Sequence, residues 1–174
     1  MVSMRMLRTL VVMAALALLV GCAHGPAGMA ADDELRLVGA GEPEVLLALA
    51  KELGEAEVGT DSVGDPHIVG SIDGTRYQIL FHGCTDNADC TSVMFVAAWA
   101  VDGDYTDFIM NWNQGKRFSR ASLDRDLDPT LEMDIELTHG VSHANLREHF
   151  GNWKTSMTVF RMELGLAAMG QRGV

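Results

Sequence analysis

Positively charged residues are scarce in this sequence. Its 174 residues include 13 lysines and arginines against 24 aspartates and glutamates, which gives a formal net charge of −11. A protein that binds nucleic acid neutralises phosphates with clustered cations, and one that docks on an anionic lipid surface needs a basic patch. The charge balance therefore argues against nucleic acid as a partner and against electrostatic docking on a membrane.

Long hydrophobic runs are also missing. The longest is Leu10–Val20, which is short because a membrane-spanning helix needs about 20 apolar residues. The run follows Arg5 and Arg8, and residues 1–21 contain no acid, which is typical of a secretory signal peptide. Removing residues 1–21 takes a charge of +2 from the total of −11 and leaves a chain with −13.

The apolar run ends in Leu19-Val20-Gly21-Cys22. This segment resembles the lipobox of bacterial lipoproteins, in which the cysteine is diacylated and becomes the mature N-terminus. The resemblance implies a lipoprotein signal peptide over 1–21, a lipid anchor at Cys22 and a periplasmic location, and Ala23 favours the outer membrane. The alternative is an ordinary signal peptide cleaved near Ala30, which leaves a soluble periplasmic protein.

Cysteine is rare, with three residues in the chain. If Cys22 is lipidated, Cys84 and Cys90 remain as a pair in a compartment that permits disulfides. The five residues between them are small or polar turn formers, so we expect a disulfide at the base of a loop, worth about 2.4 kcal/mol. A zinc site that includes His82 and a redox-active pair are the alternatives, although neither has its usual spacing.

The hydrophobic patterns predict an α+β domain over residues 42–168, after a flexible Gly- and Ala-rich tether (22–41) and before a C-terminal tail (169–174). The Asp73-Gly74 step between two apolar runs predicts a β-hairpin. We expect one antiparallel sheet, with elements in the order α-β-β-β-α-β-β-α. The predicted segments are helix 43–54, strands 68–72, 76–82 and 92–100, helix 106–115, strands 118–123 and 131–137, and a long helix after Ser142.

Further expectations concern three of these segments and one connection between them. Residues 92–100 are apolar at alternate and intervening positions, so the strand is predicted to be central and buried on both faces. Thr106 and Ser142 are expected to cap the helices that follow them. Residues 55–65 are acidic and contain glycine, which predicts an irregular connection.

The long terminal helix carries a narrow apolar seam. Its members recur at spacings of four and three residues, as on one face of a helix, and are Leu146, Phe150, Trp153, Met157, Phe160 and Leu164. Such a seam packs either against the chain's own sheet or against a second copy of the chain. The sequence leaves both interpretations open.

Signatures of catalysis and metal binding are absent from the sequence. His139 and His143 straddle a predicted strand end and helix cap, and no His-Glu-x-x-His, Walker or Gly-x-Ser-x-Gly motif occurs. Asp124, Asp126 and Asp128 alternate as calcium ligands do, but Pro129 follows them and the later ligands of such a loop are missing. We therefore expect no metal, no cofactor and no enzymatic activity.

Several motifs together resemble one family. They are Asp65-Pro66-His67-Ile68-Val69-Gly70, Phe81-His82-Gly83-Cys84 and Asn111-Trp112-Asn113 followed by Arg117-Phe118. These are similar to the YbjN domain family of bacterial proteins, described as sensory transduction regulators. The resemblance implies a fold like that of type III secretion chaperones, which commonly dimerise, and it supplies no catalytic residues.

These observations favour a non-enzymatic envelope protein that acts through protein–protein interaction or self-association in a regulatory or stress-related role. The partner is unknown, and a homodimer is one possibility. A small-ligand-binding sensory module of the periplasm is the alternative, with a pocket near Trp112 and Arg117. The candidate interface or pocket residues are Trp112, Asn113, Arg117, Trp153, Met157 and Phe160.

The lipid anchor can be tested by mass spectrometry of the protein isolated from cell envelopes. We expect an N-terminal peptide that begins at Cys22 and carries diacylglyceryl, because the lipobox places cleavage before that residue. Cys22→Ser should move the protein from the membrane fraction to the soluble fraction, since the acyl chains are then lost. An unmodified N-terminus near Ala31 in the wild-type protein would contradict the anchor.

Overall fold

A computed structural model of the chain describes residues 32–171. Within them the fold is α+β, as predicted, with three helices and eight strands after a single helical turn over 32–35. In chain order the elements are β1 (Leu37–Val38), α1 (Pro43–Leu53), β2 (Ala56–Thr60), β3 (Pro66–Ile72), β4 (Thr75–His82), β5 (Ser92–Ala98), α2 (Thr106–Gly115), β6 (Arg120–Leu123), β7 (Pro129–Glu136), β8 (Val141–Ser142) and α3 (His143–Gln171).

Six strands form one antiparallel sheet in the order β2-β3-β4-β5-β7-β6. The predicted hairpin connects β3 and β4, and both of its turn residues have positive φ, 50° at Asp73 and 78° at Gly74. This is the backbone that a two-residue type I′ turn requires. β5 and β7 pair over seven residues, so β5 is central as predicted.

The helices cover one face of this sheet, and α3 contributes an apolar seam to the layer between them. Every residue of its predicted seam is at most 2% exposed. The ring of Trp153 lies 6.1 Å from that of Tyr77 and 5.5 Å from that of Phe95, and Phe150 meets Phe95 edge-on at 5.0 Å. Full burial of each such side chain stabilises the fold by about 1.5–3 kcal/mol, so this layer contributes substantially to stability.

Two expectations about the sheet are wrong. Residues 55–65 include an edge strand, β2, which pairs with β3 through backbone hydrogen bonds although its own side chains are mostly exposed. β5 is buried on one face only, because Val93 and Phe95 lie under α3 whereas Met94 and Val96 are half-buried on the opposite face. The described helices leave that opposite face of the sheet open.

The expected tether is partly structured. Val38 is fully buried in β1, which pairs with β8, and the Glu34 carboxylate accepts a hydrogen bond from Arg147 on α3. The tether prediction is therefore wrong for residues 32–41. Residues 22–31, Cys22 included, and the predicted signal peptide 1–21 lie outside the described residues. At the other end α3 continues to Gln171, so the predicted tail does not begin at 169.

The two predicted helix caps have different outcomes. Ser142 caps α3, because its Oγ accepts the backbone N–H of Asn145 at 3.3 Å. Thr106 is the first residue of α2 and not its cap. Its backbone N–H instead donates to the Asp104 carboxylate at 2.9 Å. The side-chain acceptor at the start of α2 is therefore an aspartate two residues earlier and not the threonine hydroxyl.

The predicted disulfide joins Cys84 and Cys90 at the base of the β4–β5 loop. Asn87, at the tip of that loop, donates its side-chain amide to the Val63 carbonyl at 3.0 Å and to the Asp65 carboxylate at 2.9 Å. The closed loop therefore also holds the β2–β3 connection in place.

A glycine in β3 makes room for the aromatic layer. A methyl group built on Gly70 would lie 2.5 Å from the ring of Tyr77, which stands opposite it in β4. Burial raises the pKa of Tyr77 to about 12, because a charged phenolate is disfavoured in this apolar position. Any larger residue at position 70 must displace this ring and with it the packing of Trp153.

We therefore expect Gly70→Ala to lower the free energy of unfolding by about 1–3 kcal/mol, as overpacking of a core does. Gly151→Ala is the matched control, because a methyl group there meets no atom within 4 Å. In the middle of α3 it should stabilise by about 0.5–1 kcal/mol. Chemical denaturation of both variants measures the difference, and equal unfolding midpoints would contradict the packing argument.

Candidate functional site

Three of the candidate residues belong to the core. Trp153, Met157 and Phe160 are 0%, 1% and 0% exposed, respectively, and belong to the core beneath α3. The expectation that they form an interface is therefore corrected, because no surface of these side chains is left for a partner. The alternative interpretation of the seam, packing against the chain's own sheet, describes the structure.

Trp112 is also buried, but it borders a groove. Its side chain is 3% exposed and meets Phe160 edge-on, with 4.9 Å between ring centroids. Its outer edge reaches a groove of about 260 Å³ between the end of α2, the segment 116–118 and the middle of α3. The lining residues are Trp112, Lys116, Arg117, Phe118, Asn152, Thr155, Ser156 and Val159.

Asn113 fixes one wall of this groove. Its side-chain amide donates to the Ala121 carbonyl at 2.9 Å and accepts the Ala121 backbone N–H at 2.8 Å. The amide thus makes the two backbone hydrogen bonds that a residue of a neighbouring strand would make at the free edge of β6. Asn113 is a positioning residue that joins α2 to the sheet and sets the path of the segment between them.

Phe118 is the exposed aromatic residue of the groove. It is 56% exposed, and its φ of 68° lies in the left-handed region that a bulky side chain rarely adopts. The guanidinium of Arg117 lies 4.8 Å from the centroid of its ring. Residues held in such sparsely populated backbone conformations cluster at functional sites.

The cations beside this ring differ in their partners. Lys116 makes an ion pair with Glu163 of α3 at 2.5 Å and lies 5.3 Å from the Trp112 ring centroid. Arg120 pairs with Glu132 and Asp134, and its hydrogen bond to Glu132 raises the pKa of Arg120 above its usual value. Among residues 32–171, no carboxylate lies within ion-pair distance of Arg117.

The outer face of α3 extends the apolar part of the groove. Val159 lines the groove, and Met162 and Leu166 follow it three and seven residues later with exposed fractions of 58% and 60%. This spacing places all three on the helix face opposite the buried seam. We call the set formed by Phe118, Val159, Met162 and Leu166 the outer apolar stripe.

The structure brings together only part of the predicted site. Trp112, Asn113 and Arg117 do lie together, whereas Cys22 lies outside the described residues and Cys84 and Cys90 form the disulfide in another loop. Sequence reasoning missed Phe118 as a surface residue and missed the α3 wall of the groove. The second apolar periodicity on α3, Val159-Met162-Leu166, is the sequence signal that could have pointed to that wall.

The described residues offer no metal site and no membrane span. Over 32–171, no three His, Cys, Asp or Glu side chains converge as metal ligands would. No helix in the same range combines the length and the apolar character needed to cross a bilayer. What the groove does offer is two aromatic rings, two cations and a largely polar α3 wall that ends in Val159.

Comparison with known proteins matches residues 42–165 to the YbjN family, whose description reads "Putative bacterial sensory transduction regulator". No curated protein matches the chain in sequence. Among solved structures, the Yersinia pestis type III secretion chaperone SycH, determined in complex with a stable fragment of YscM2, is similar at 16% identity and a TM-score of 0.40. The similarity covers 73% of this chain and 96% of that chain.

The role of Asn113 can be tested by truncation. Asn113→Ala removes both hydrogen bonds to Ala121, so we expect a loss of about 1–3 kcal/mol in the free energy of unfolding and faster amide exchange in β6. Asn111→Ala, two residues away on an exposed position of the same helix, is the matched control. Equal exchange rates in β6 for the two variants would show that Asn113 does not position this strand.

Proposed function

Because the chain belongs to the YbjN family, we propose that it is a regulatory protein of the bacterial envelope that acts by binding another protein and not by catalysis. The lipid anchor at Cys22 holds it on the periplasmic side of the outer membrane. The observation that carries the proposal is Phe118, exposed and in a left-handed backbone conformation beside the groove.

Phe118 has two unfavourable features that the described fold does not offset. A left-handed conformation of a residue with a bulky side chain costs on the order of 1–3 kcal/mol, and more than half of its ring surface stays in water. A partner that covers the ring recovers the hydration part of this cost. Aromatic side chains in such positions are frequent hot spots of protein interfaces.

The surroundings of Phe118 define the chemistry of the partner. The outer apolar stripe continues from Phe118 along α3 through Met162 and Leu166, so the partner presents apolar side chains in a row. Arg117 supplies a cation without a carboxylate of its own among the described residues. The proposed occupant is therefore a protein segment with an apolar stripe and a carboxylate placed to reach Arg117.

The anchor limits where this partner can be. Residues 32–41 pack on the domain, so only the nine residues 23–31 separate the lipid-bearing Cys22 from the folded part. Even fully extended they reach about 36 Å. The partner of a domain held so closely is itself at the membrane surface or attached to it.

A sensory module for a small ligand is the second candidate. The Arg117 cation and the Trp112 and Phe118 rings suit a small anionic aromatic compound. The groove of about 260 Å³ is smaller than the roughly 300–1,000 Å³ of pockets that enclose such ligands. We therefore favour a protein segment, which needs to be covered on one side only.

Phe118→Ala should weaken partner binding by about tenfold or more, as truncation of a hot-spot residue does. Leu127→Ala is a closely matched control, because Leu127 is also exposed (64%) and also has positive φ (65°), but lies in the β6–β7 turn. A photo-crosslinking residue in place of Thr155 captures the partner from envelopes. The purified partner is then titrated against each variant.

The proposal requires that affinity depend on the Arg117 cation as well as on the Phe118 ring. We expect Arg117→Glu to weaken binding as Phe118→Ala does, whereas Leu127→Ala leaves the dissociation constant unchanged. Binding that is equally strong for all four proteins would remove the groove as the interaction site. Native mass spectrometry that finds a small molecule bound in place of a protein, and lost in Phe118→Ala, would establish the second candidate instead.

A further inference from the structure

Leu35 and Leu37 are two exposed leucines close to the lipid-bearing end of the chain. Their side chains are 74% and 61% exposed, and Leu35 has the largest exposed fraction among the large apolar side chains that the structure describes. The two residues are two positions apart, so their Cα atoms are separated by at most about 7 Å. Two large apolar side chains therefore stand close together in water at this end of the domain.

The segment that carries these leucines is fixed on the domain. Leu37 pairs with Ser142 in the two-stranded sheet of β1 and β8. The carbonyl of Arg36, between the two leucines, accepts the backbone N–H of His143 at 2.8 Å. The leucine side chains thus stay in water although the fold holds their backbone in place.

The acidic side chains around the leucines have basic partners. Arg36 forms ion pairs with Asp33 at 3.5 Å and with Glu42 at 2.7 Å. Arg147 of α3 forms an ion pair with Glu34. These pairs offset part of the local negative charge, which would otherwise oppose contact with an anionic lipid surface.

We propose that Leu35 and Leu37 contact the bilayer to which Cys22 anchors the domain, and that this contact sets the orientation of the domain. The inference rests on the lipid anchor of the proposed function. Nine residues, 23–31, connect Cys22 to the folded part, and even fully extended they reach at most about 36 Å. The leucines then enter the boundary between headgroups and acyl chains, as the apolar side chains of interfacial helices do.

The anchor makes a weak apolar contact sufficient. Full burial of one leucine stabilises by about 1.5–3 kcal/mol, whereas association from solution costs at least about 4 kcal/mol in lost freedom of motion. Two partly buried leucines are therefore too few to recruit a free protein. The lipid on Cys22 already holds the domain at the bilayer, so the contact forms at a high effective concentration.

Contact at this end keeps the proposed binding groove accessible. α3 begins at His143, beside the strand that pairs with Leu37, and rises about 1.5 Å per residue. Val159 and Leu166 therefore lie about 24 Å and about 35 Å further along the helix. A protein bound along the outer apolar stripe does not need to cover the leucines, which favours lipid as their partner.

Quenching of a fluorophore by lipids tests the contact in the lipidated protein isolated from envelopes. A single free cysteine replaces Leu35, Leu127 or Met162 and carries the fluorophore, because Cys22 is occupied by lipid and the other two cysteines by the disulfide. The protein is reconstituted in vesicles of phosphatidylethanolamine and phosphatidylglycerol, with or without a quencher on the acyl chains. We expect several-fold stronger quenching at position 35 than at positions 127 and 162.

Leu127 is the matched control position. Its side chain is also exposed (64%), but it lies before the start of β7 (Pro129–Glu136), whereas Leu37 lies beside Gly140, beyond the end of that strand. The strand is about 27 Å long, so the two labels are at opposite ends of the sheet. A domain that collides with the bilayer in random orientations would show equal quenching at both.

Further variants separate apolar contact from charge attraction and from the groove. With the label at position 35, Leu37→Ser should raise the ratio of released to bilayer-bound domains by about tenfold, the effect of about 1.4 kcal/mol. Phe118→Ala should leave the quenching unchanged, and Cys22→Ser should abolish it. Raising the ionic strength from about 0.1 M to about 1 M shortens the screening length from about 10 Å to about 3 Å and should not weaken the contact.

The outcomes that contradict the inference are distinct from those that contradict the proposed function. Wild-type protein that does not float with the vesicles would remove the lipid anchor and, with it, this inference. Protein that floats but is quenched equally at positions 35 and 127, or that loses the quenching at about 1 M salt, would overturn the inference alone. Stronger quenching at position 162 would place the outer apolar stripe on the bilayer and overturn both proposals.

Discussion

The contact of Trp153 with Tyr77 and Phe95 is the interaction on which the rest of this structure depends. It holds the longest helix on the sheet and requires the bare backbone of Gly70 beneath the Tyr77 ring. The apolar seam of α3 is buried in this contact. It is therefore not available to bind a partner protein. Any association with another protein must use what remains, namely the outer side of α3 and the uncovered face of the sheet.

The motif Asn111-Trp112-Asn113, followed by Arg117-Phe118, contributes both to stability and to the proposed recognition. Trp112 packs into the core and Asn113 pairs with the backbone of β6, so two of its residues build the fold. These two residues hold the next segment, which contains Arg117 and Phe118, at the surface in a fixed conformation. Strain is tolerated at Phe118 because Asn113 and the Lys116–Glu163 ion pair hold the segment on either side.

Prediction from sequence worked where side-chain chemistry alone sets the local structure. The Asp73-Gly74 turn, the alternation in β4 and the seam of α3 each follow from a period or a dihedral preference, and each is present. It failed at β2 (Ala56–Thr60), which has only two apolar residues and mostly exposed side chains, because backbone pairing with β3 holds this strand in place. The same limit explains the missed pairing of β1 with β8, which involves two residues on each side.

The sequence by itself determined the class of the domain, the order of its main elements and the pairing of its cysteines, since these rest on short-range patterns and on composition. Only the tertiary structure decided which apolar surface is used internally and which is left free. The α3 seam and the faces of β5 are equally apolar as sequence, but a helix can cover only one face of a sheet. Burial of one face by α3 is what leaves the other, and the groove beside Phe118, available for partners.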